Sequence, residues 1–392
     1  MALTLKALDH SGSRFLLQHY VQITAPRISG RVYPENPYIT YILPLALSDD
    51  KIMQTVLAIS GTHLMVHNPS VEHLMRSHYA VALRSVKHEL TKYANGESSD
   101  VLKLLVTTLL LCQFECIDGK IHGELYHHLR ASRELLLKLQ KSKHPVDQNL
   151  HGFLLEQYAF LTIVAKITLR VDFQDREVAF DPLVFSLESI NRDSNIYGTM
   201  FGCAHQLFEL IPRISMLANQ RLRENEEGIS SFESIAQLRL LEDKIRSWDY
   251  SRDDSMRPEE NYFALAGRIY QQAILAFLYT SFHGPKPPDA DLLAKVEPCI
   301  SDFLKFFLAL PPNTSIWTTM MWPVITAGSC MRQPKQREYI FRALDKTPHL
   351  MFVCFRMKEI LKWVWEDKSG ESYGPYGIEM MMKRRNINIC VG

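Results

Sequence analysis

Apolar residues recur at helical spacing along almost the whole of this chain, and that period limits what it can fold into. In HLMRSHYAVALRSVKHELTKY the apolar positions Tyr79, Ala82, Val86, Leu90 and Tyr93 step by 3, 4, 4 and 3, one stripe along a helix. Ser70, ahead of the run, is read as its N-cap and Asn95-Gly96 as its stop. HGFLLEQYAFLTIVAKITLR repeats the pattern through Leu154, Tyr158, Leu161 and Ala165. Similar periodicity covers about 49–67, 99–117, 121–141, 195–222, 231–248, 260–282, 289–309, 316–330 and 350–367. No alternating strand pair and no Asn-Gly hairpin between apolar runs is present. The predicted fold is therefore all-α, a single large array of roughly a dozen packed helices.

Punctuation falls at Pro145, across 172–194, in the charged stretch 223–228 and in HGPKPPD at 283–289. None of these is long or low-complexity enough for a flexible linker. Residues 1–367 are accordingly read as one helical domain. Beyond it, GESYGPYGIEMMMKRRNINICVG loses the period, so 368–392 is read as an irregular tail that lies over the body or frays.

Charge and cysteine usage remove several function classes. Lys and Arg number 44 against 43 Asp and Glu, a formal net charge of +1. No global positive field exists to hold a phosphate backbone, which argues against direct nucleic-acid binding. Seven cysteines, an odd number spread thinly, read as free thiols in a reducing compartment rather than a disulfide framework. The opening MALTLKALDHSG has no basic flank followed by a long apolar stretch, so no secretory signal is read. The most apolar run, around 104–112, is far short of the roughly 20 residues that span a bilayer. A nuclear or cytoplasmic location, without membrane contact, is expected.

LLLCQFECIDGKIHGELYHHL places Cys112, Cys116, His122, His127 and His128 within seventeen residues, as a metal site would. Yet Leu105, Leu109, Cys112 and Cys116 share the apolar face of one helix, which Asp118-Gly119 ends. On the next helix Leu125, Leu129, Leu136 and Leu139 mark the inner stripe; His127 points outward and His128 lies at the stripe's edge. Tetrahedral zinc needs four groups converging on one point, whereas these diverge around two helices. Core thiols and a packing histidine are expected, with no metal and no cofactor.

Other chemical templates are absent: no GxSxG, HExxH, Walker loop or GxGxxG after a strand occurs. Asp172, Asp175 and Glu177 in VDFQDRE look like half of a magnesium–diphosphate motif without its second half, and a solvated helix end is expected instead. His205 in FGCAHQLFELI is a polar group on an apolar helix, read as a satisfied core residue or else as a pocket ligand or a general base. Trp317, Met320, Met321, Trp322 and Met331 crowd 316–331. Such soft and aromatic side chains pack cores and also line pockets for apolar ligands, and they are the candidate ligand-binding residues here.

Three stretches in order carry a resemblance. These are NPYITYILPLALSDDKIMQTVLAISGTHL, the LLLCQFECIDGKIHGELYHHL segment, and LPPNTSIWTTMMWPVITAGSC followed by Val364-Trp365. Together they resemble the fungal-specific transcription factor domain, the all-α regulatory region that usually follows a six-cysteine binuclear zinc cluster. The likeness runs from about 15 to 367. It places Glu115 and His128-Leu129 at family motif positions, which implies packing roles within the helical body. Ala131-Ser132 stand where the family prefers Gly-Ala, and the six-cysteine cluster is missing, since the first cysteine is Cys112.

The resemblance implies a regulatory module that binds a small, apolar metabolite and acts through partners, either a second copy or a zinc-cluster transcription factor. Two other functions remain open. One is a specialised-metabolism enzyme of cyclase or isomerase type, cofactor-independent, with His205, Asp172 and Asp175 as its acid/base groups. The other is a ligand-free co-regulator scaffold presenting an exposed apolar helix face.

Overall fold

The computed structural model describes residues 5–31, 36–97, 99–120, 124–141, 146–164, 181, 183, 198–202, 204–228, 231–250 and 260–391. Among these, fifteen helices of six or more residues follow one another. They are α1 (Ser11–His19), α2 (Leu43–Ser48), α3 (Asp50–Met65), α4 (Glu72–Ala94), α5 (Val101–Asp118), α6 (Leu125–Gln140) and α7 (Gln148–Val164). The second half adds α8 (Leu210–Glu227), α9 (Phe232–Ser247), α10 (Glu260–His283), α11 (Ala290–Ala309), α12 (Met321–Ser329), α13 (Pro334–Lys346), α14 (Phe352–Glu366) and α15 (Gly374–Arg384). No strand forms among the described residues, so the architecture is all-α.

Helix ends follow local chemistry. The Asp49 carboxylate accepts the backbone N–H groups of Lys51 at 2.9 Å and Ile52 at 3.4 Å, starting α3. Asp100 starts α5 by accepting Lys103 N–H at 3.2 Å. Gly119, at φ 61°, ends α5 in the left-handed region that its missing Cβ permits.

Several expected boundaries shift. Helix α4 begins at Glu72, not at a Ser70 cap; Asn68 instead caps a single 3-10 turn, Pro69–Val71. The helix expected over 195–222 does not include 198–202, because the Glu156 carboxylate on α7 gathers that segment's N–H groups. Its Oε1 accepts from Met200 at 2.7 Å and Phe201 at 3.0 Å, and its Oε2 from Gly198 at 3.2 Å. Among the described residues one turn, His205–Phe208, precedes α8, which then runs through the charged stretch expected to break it and stops at Gly228. The helix expected over 316–330 is divided into a 3-10 helix, Ser315–Thr319, and α12. Helix α13 had no counterpart in the sequence reading. The tail is not irregular throughout: Pro375 sits in the first turn of α15, and Ile378, Met381 and Met382 are buried against the body.

Helices that are apolar all round lie at the centre. In α3 every residue from Ile52 to His63 is buried, as is every residue of α5 from Leu104 to Ile117. Helices α1 and α4 pack on α3, while α6 and α7 pack on α5. In the second half α10 is the hub, touching α8, α9, α11, α12 and α15. The halves join where α14 rests on α5 and where Ser315 Oγ donates to the Gly30 carbonyl at 2.7 Å.

Candidate functional site

A compact cluster of polar groups sits where α4 and α6 flank α5. Helix α5 carries Glu115 into the core, 3% exposed. Tyr79 on α4 donates its hydroxyl to Glu115 Oε1 through a very short hydrogen bond. Lys120, just past the Gly119 stop, sets Nζ 3.5 Å from Glu115 Oε2 and donates to the Tyr79 hydroxyl at 2.9 Å. The same ammonium lies 4.0 Å from the centre of the Tyr79 ring, which itself stacks on Phe114 at 4.2 Å. Burial pushes the Glu115 carboxyl above its usual range; the Tyr79 hydrogen bond and the Lys120 charge act against that shift. This is a neutralised core cluster: its charges face each other.

Beside it a groove of about 590 Å³ opens between α4 and α6. Leu83, Val86, Leu90 and Ala94 of α4 form its apolar side, His127 and His128 of α6 the facing wall, and Lys87 and Thr91 its rim. Burial, then His127, then Lys120 lower the His128 pKa to about 4, so its imidazole is neutral near pH 7. His127 is exposed and accepts from Arg130 Nη2 at 2.7 Å through Nδ1. Among the described residues no carboxylate lines this groove.

Two other hollows carry less. One of about 270 Å³ lies where α3 and α5 begin, but its charges neutralise one another. There Lys51 pairs with Glu89 at 2.7 Å and Lys103 with Asp49 at 3.2 Å. The other, between α9, α10 and α11, encloses about 130 Å³, below the range of metabolite sites, about 300–1,000 Å³.

Cys112 and Cys116 are fully buried in α5, where burial raises both thiol pKa values and keeps the thiols protonated. Among the described residues no three His, Cys, Asp or Glu side chains gather as metal ligands; His122 lies outside those residues. The five candidate ligand residues are core: Trp317 is 3% exposed, Met320 0%, Met321 5%, Trp322 1% and Met331 1%. Trp317 Nε1 donates to the Pro311 carbonyl at 3.1 Å, and Trp322 packs its ring on Tyr270 and Phe277. None of the five lines any of the three hollows described above.

His205 opens the short turn before α8, half-buried, and it too lines none of them. Asp172 and Asp175 lie outside the described residues. Of the three acid/base candidates, His205 alone is among the described residues. The α4–α6 groove was overlooked in the sequence. Its one signal is that Leu83 and Ala94, beside Leu90 of the stripe, widen the apolar arc of α4 beyond what reaches α3 and α5.

Across the same chain, the family model described as "Fungal specific transcription factor domain" matches residues 15–392, and the protein belongs to that family. The match includes α15 and so extends past the 15–367 of the sequence resemblance. No curated protein and no solved structure matches the chain. No described helix is long and apolar enough to cross a membrane.

Proposed function

We propose that this chain is a transcription-regulatory module that works in the nucleus through a protein partner rather than by gripping DNA itself. The observation that carries this reading is the exposed apolar groove between α4 and α6, on a family domain whose net charge is only +1. A near-neutral chain has no electrostatic footprint for DNA, whereas a solvent-open apolar groove is a surface that a protein partner can cover. A small apolar metabolite is the proposed signal. It would act by favouring one packing of the Met- and Trp-rich layer around Trp317, Met320, Met321, Trp322 and Met331 over another.

The test joins the chain to an unrelated DNA-binding domain in a fungal reporter strain. Reporter output should rise or fall relative to the DNA-binding domain alone. Unchanged output from a stably expressed fusion would remove the regulatory reading. Incubation of the purified chain with an organic cell extract, followed by LC–MS, separates sensing from catalysis. A compound recovered bound and unchanged is the expected result; one consumed to a new product, and spared by boiled protein, would make the chain an enzyme.

A further inference from the structure

The geometry points to a specific occupant of the α4–α6 groove: an amphipathic helix with acidic flanks, supplied by another protein. This rests on the partner-dependent function proposed above and names the chemistry of the partner. Leu83, Leu90 and Ala94 lie along one line of α4. From Leu83 to Ala94 that line is about 16 Å long, or three helical turns. A partner helix that places apolar residues three, four and seven positions apart presents a matching ridge over the same length.

Two features select a helix over a small molecule. Lys87, Thr91, Ala94 and His127 are all exposed, so the groove stays open along its length. Small-molecule sites enclose about 70–90% of their ligand, whereas a docked helix needs to bury one face only.

Charge selects acidic flanks. Lys87 stands on the rim, and Arg84, two turns before Thr91, lies on the same side of α4. Neither makes an ion pair among the described residues. Across the groove Arg130 stands against His127. Of the nearby carboxylates, Glu89 pairs with Lys51 and Lys92, Glu115 with Tyr79 and Lys120, and Glu134 with Arg133, while Glu124 lies one turn before the histidines and Glu97 is exposed beyond the end of the α4 line. The exposed Arg84 and Lys87, unpaired among the described residues and in the middle of this face, attract an acidic partner and repel a basic one.

The experiment titrates the full chain with two fluorescein-labelled helical peptides of the same leucine ridge, one flanked by Glu and one by Lys, and reads anisotropy. The Glu peptide should bind at least roughly ten-fold more tightly, with an affinity that falls as salt rises. The double variant Arg84→Glu/Lys87→Glu changes only exposed side chains and should reverse the preference. Leu90→Asp should abolish binding of both peptides, with circular dichroism confirming an intact fold. Equal binding of the two peptides, or a preference that survives the charge reversal, overturns the assignment. So does displacement of the Glu peptide by dodecanoate at stoichiometric concentration, which would make the groove a lipid site. A dimer in sedimentation that the double variant dissociates would also overturn it, by making the groove a contact between copies. Loss of peptide binding with reporter activity retained would reject this occupant while leaving the regulatory reading standing.

Discussion

At the scale of single residues, the buried charge of Glu115 decides what the α4–α6 region tolerates. Its carboxylate is taken out of water and is offset by one ammonium and one hydroxyl, Lys120 and Tyr79. Removing one partner of such a pair costs more than the pair contributes, because the remaining charge stays desolvated. Lys120 is about one-quarter exposed, so the loss is discounted for solvent screening. Lys120→Met should lower stability by roughly 2 kcal/mol at pH 8. Glu115 already titrates above its usual range in the folded chain. A carboxyl with a raised folded pKa contributes stability below its unfolded pKa and loses it as pH rises through the folded one. The penalty of Lys120→Met should therefore shrink toward pH 4, where the carboxyl is neutral. Urea unfolding at the two pH values checks this; an equal penalty at both would show that Glu115 carries no charge worth offsetting.

At the scale of helices, small residues set how closely neighbours approach. Gly61 on α3 faces Met75 on α4, and a Cβ added there would meet the Met75 Cβ at 2.7 Å. Gly61→Ala must push α4 outward, and overpacking of this kind costs roughly 1–3 kcal/mol. The groove side of α4 would shift with it, so both a lower melting temperature and weaker Glu-peptide binding are expected; a melting temperature unchanged from wild type would show that the contact relaxes without cost. The stripe of α4 and the all-apolar lengths of α3 and α5 were legible because a 3.6-residue period writes burial directly into sequence. Helix α15 was not: glycine, proline and a charged end mask Ile378, Met381 and Met382, whose burial depends on α10, α12 and α14 being in place. The 198–202 turn was hidden for a related reason. Its shape comes from Glu156, more than forty residues away in sequence. His128 could be placed at the edge of its helix from spacing alone. The groove could not, since it exists only once α6 and α4 are laid on opposite flanks of α5. The Trp317–Met331 stripe could be named but not resolved between core and pocket, because both uses select the same side chains.

At the scale of the whole molecule, buried histidines should set the response to acid. The N-terminal segment, α3 and the loop before α14 meet at a cluster of imidazoles. His63 Nδ1 lies 3.0 Å from Thr24 Oγ1, and the same hydroxyl lies 3.1 Å from His19 Nδ1. His349 Nδ1 lies 3.1 Å from the Arg27 carbonyl. Burial lowers the pKa of His63 to about 3 and that of His349 to about 4, and His19, Arg27 and His67 add to the shift at His63. His128 follows at about 4. Below the unfolded histidine pKa the unfolded chain takes up protons that these folded imidazoles refuse, so stability falls as pH falls. Each such group contributes a slope of up to about 1.4 kcal/mol per pH unit. Glu156 acts in the opposite sense: burial raises its folded pKa to about 7, so its contribution is complete below the unfolded carboxyl pKa and disappears as pH rises through 7. Among the described residues the lowered histidines also include His19, His78 and His151, and together they outnumber the two raised carboxyls, Glu115 and Glu156. They leave a net gain in stability from pH 5 to 6.5 that ends near neutrality as the unfolded histidines lose their protons. Chemical denaturation across pH 5–8 should trace that rise and shoulder. His63→Gln and His349→Gln should each flatten the acid side by about one proton's worth of slope. A profile that is flat from pH 5 to 6.5, or unaltered in both variants, would mean that the imidazoles are not held neutral by the fold.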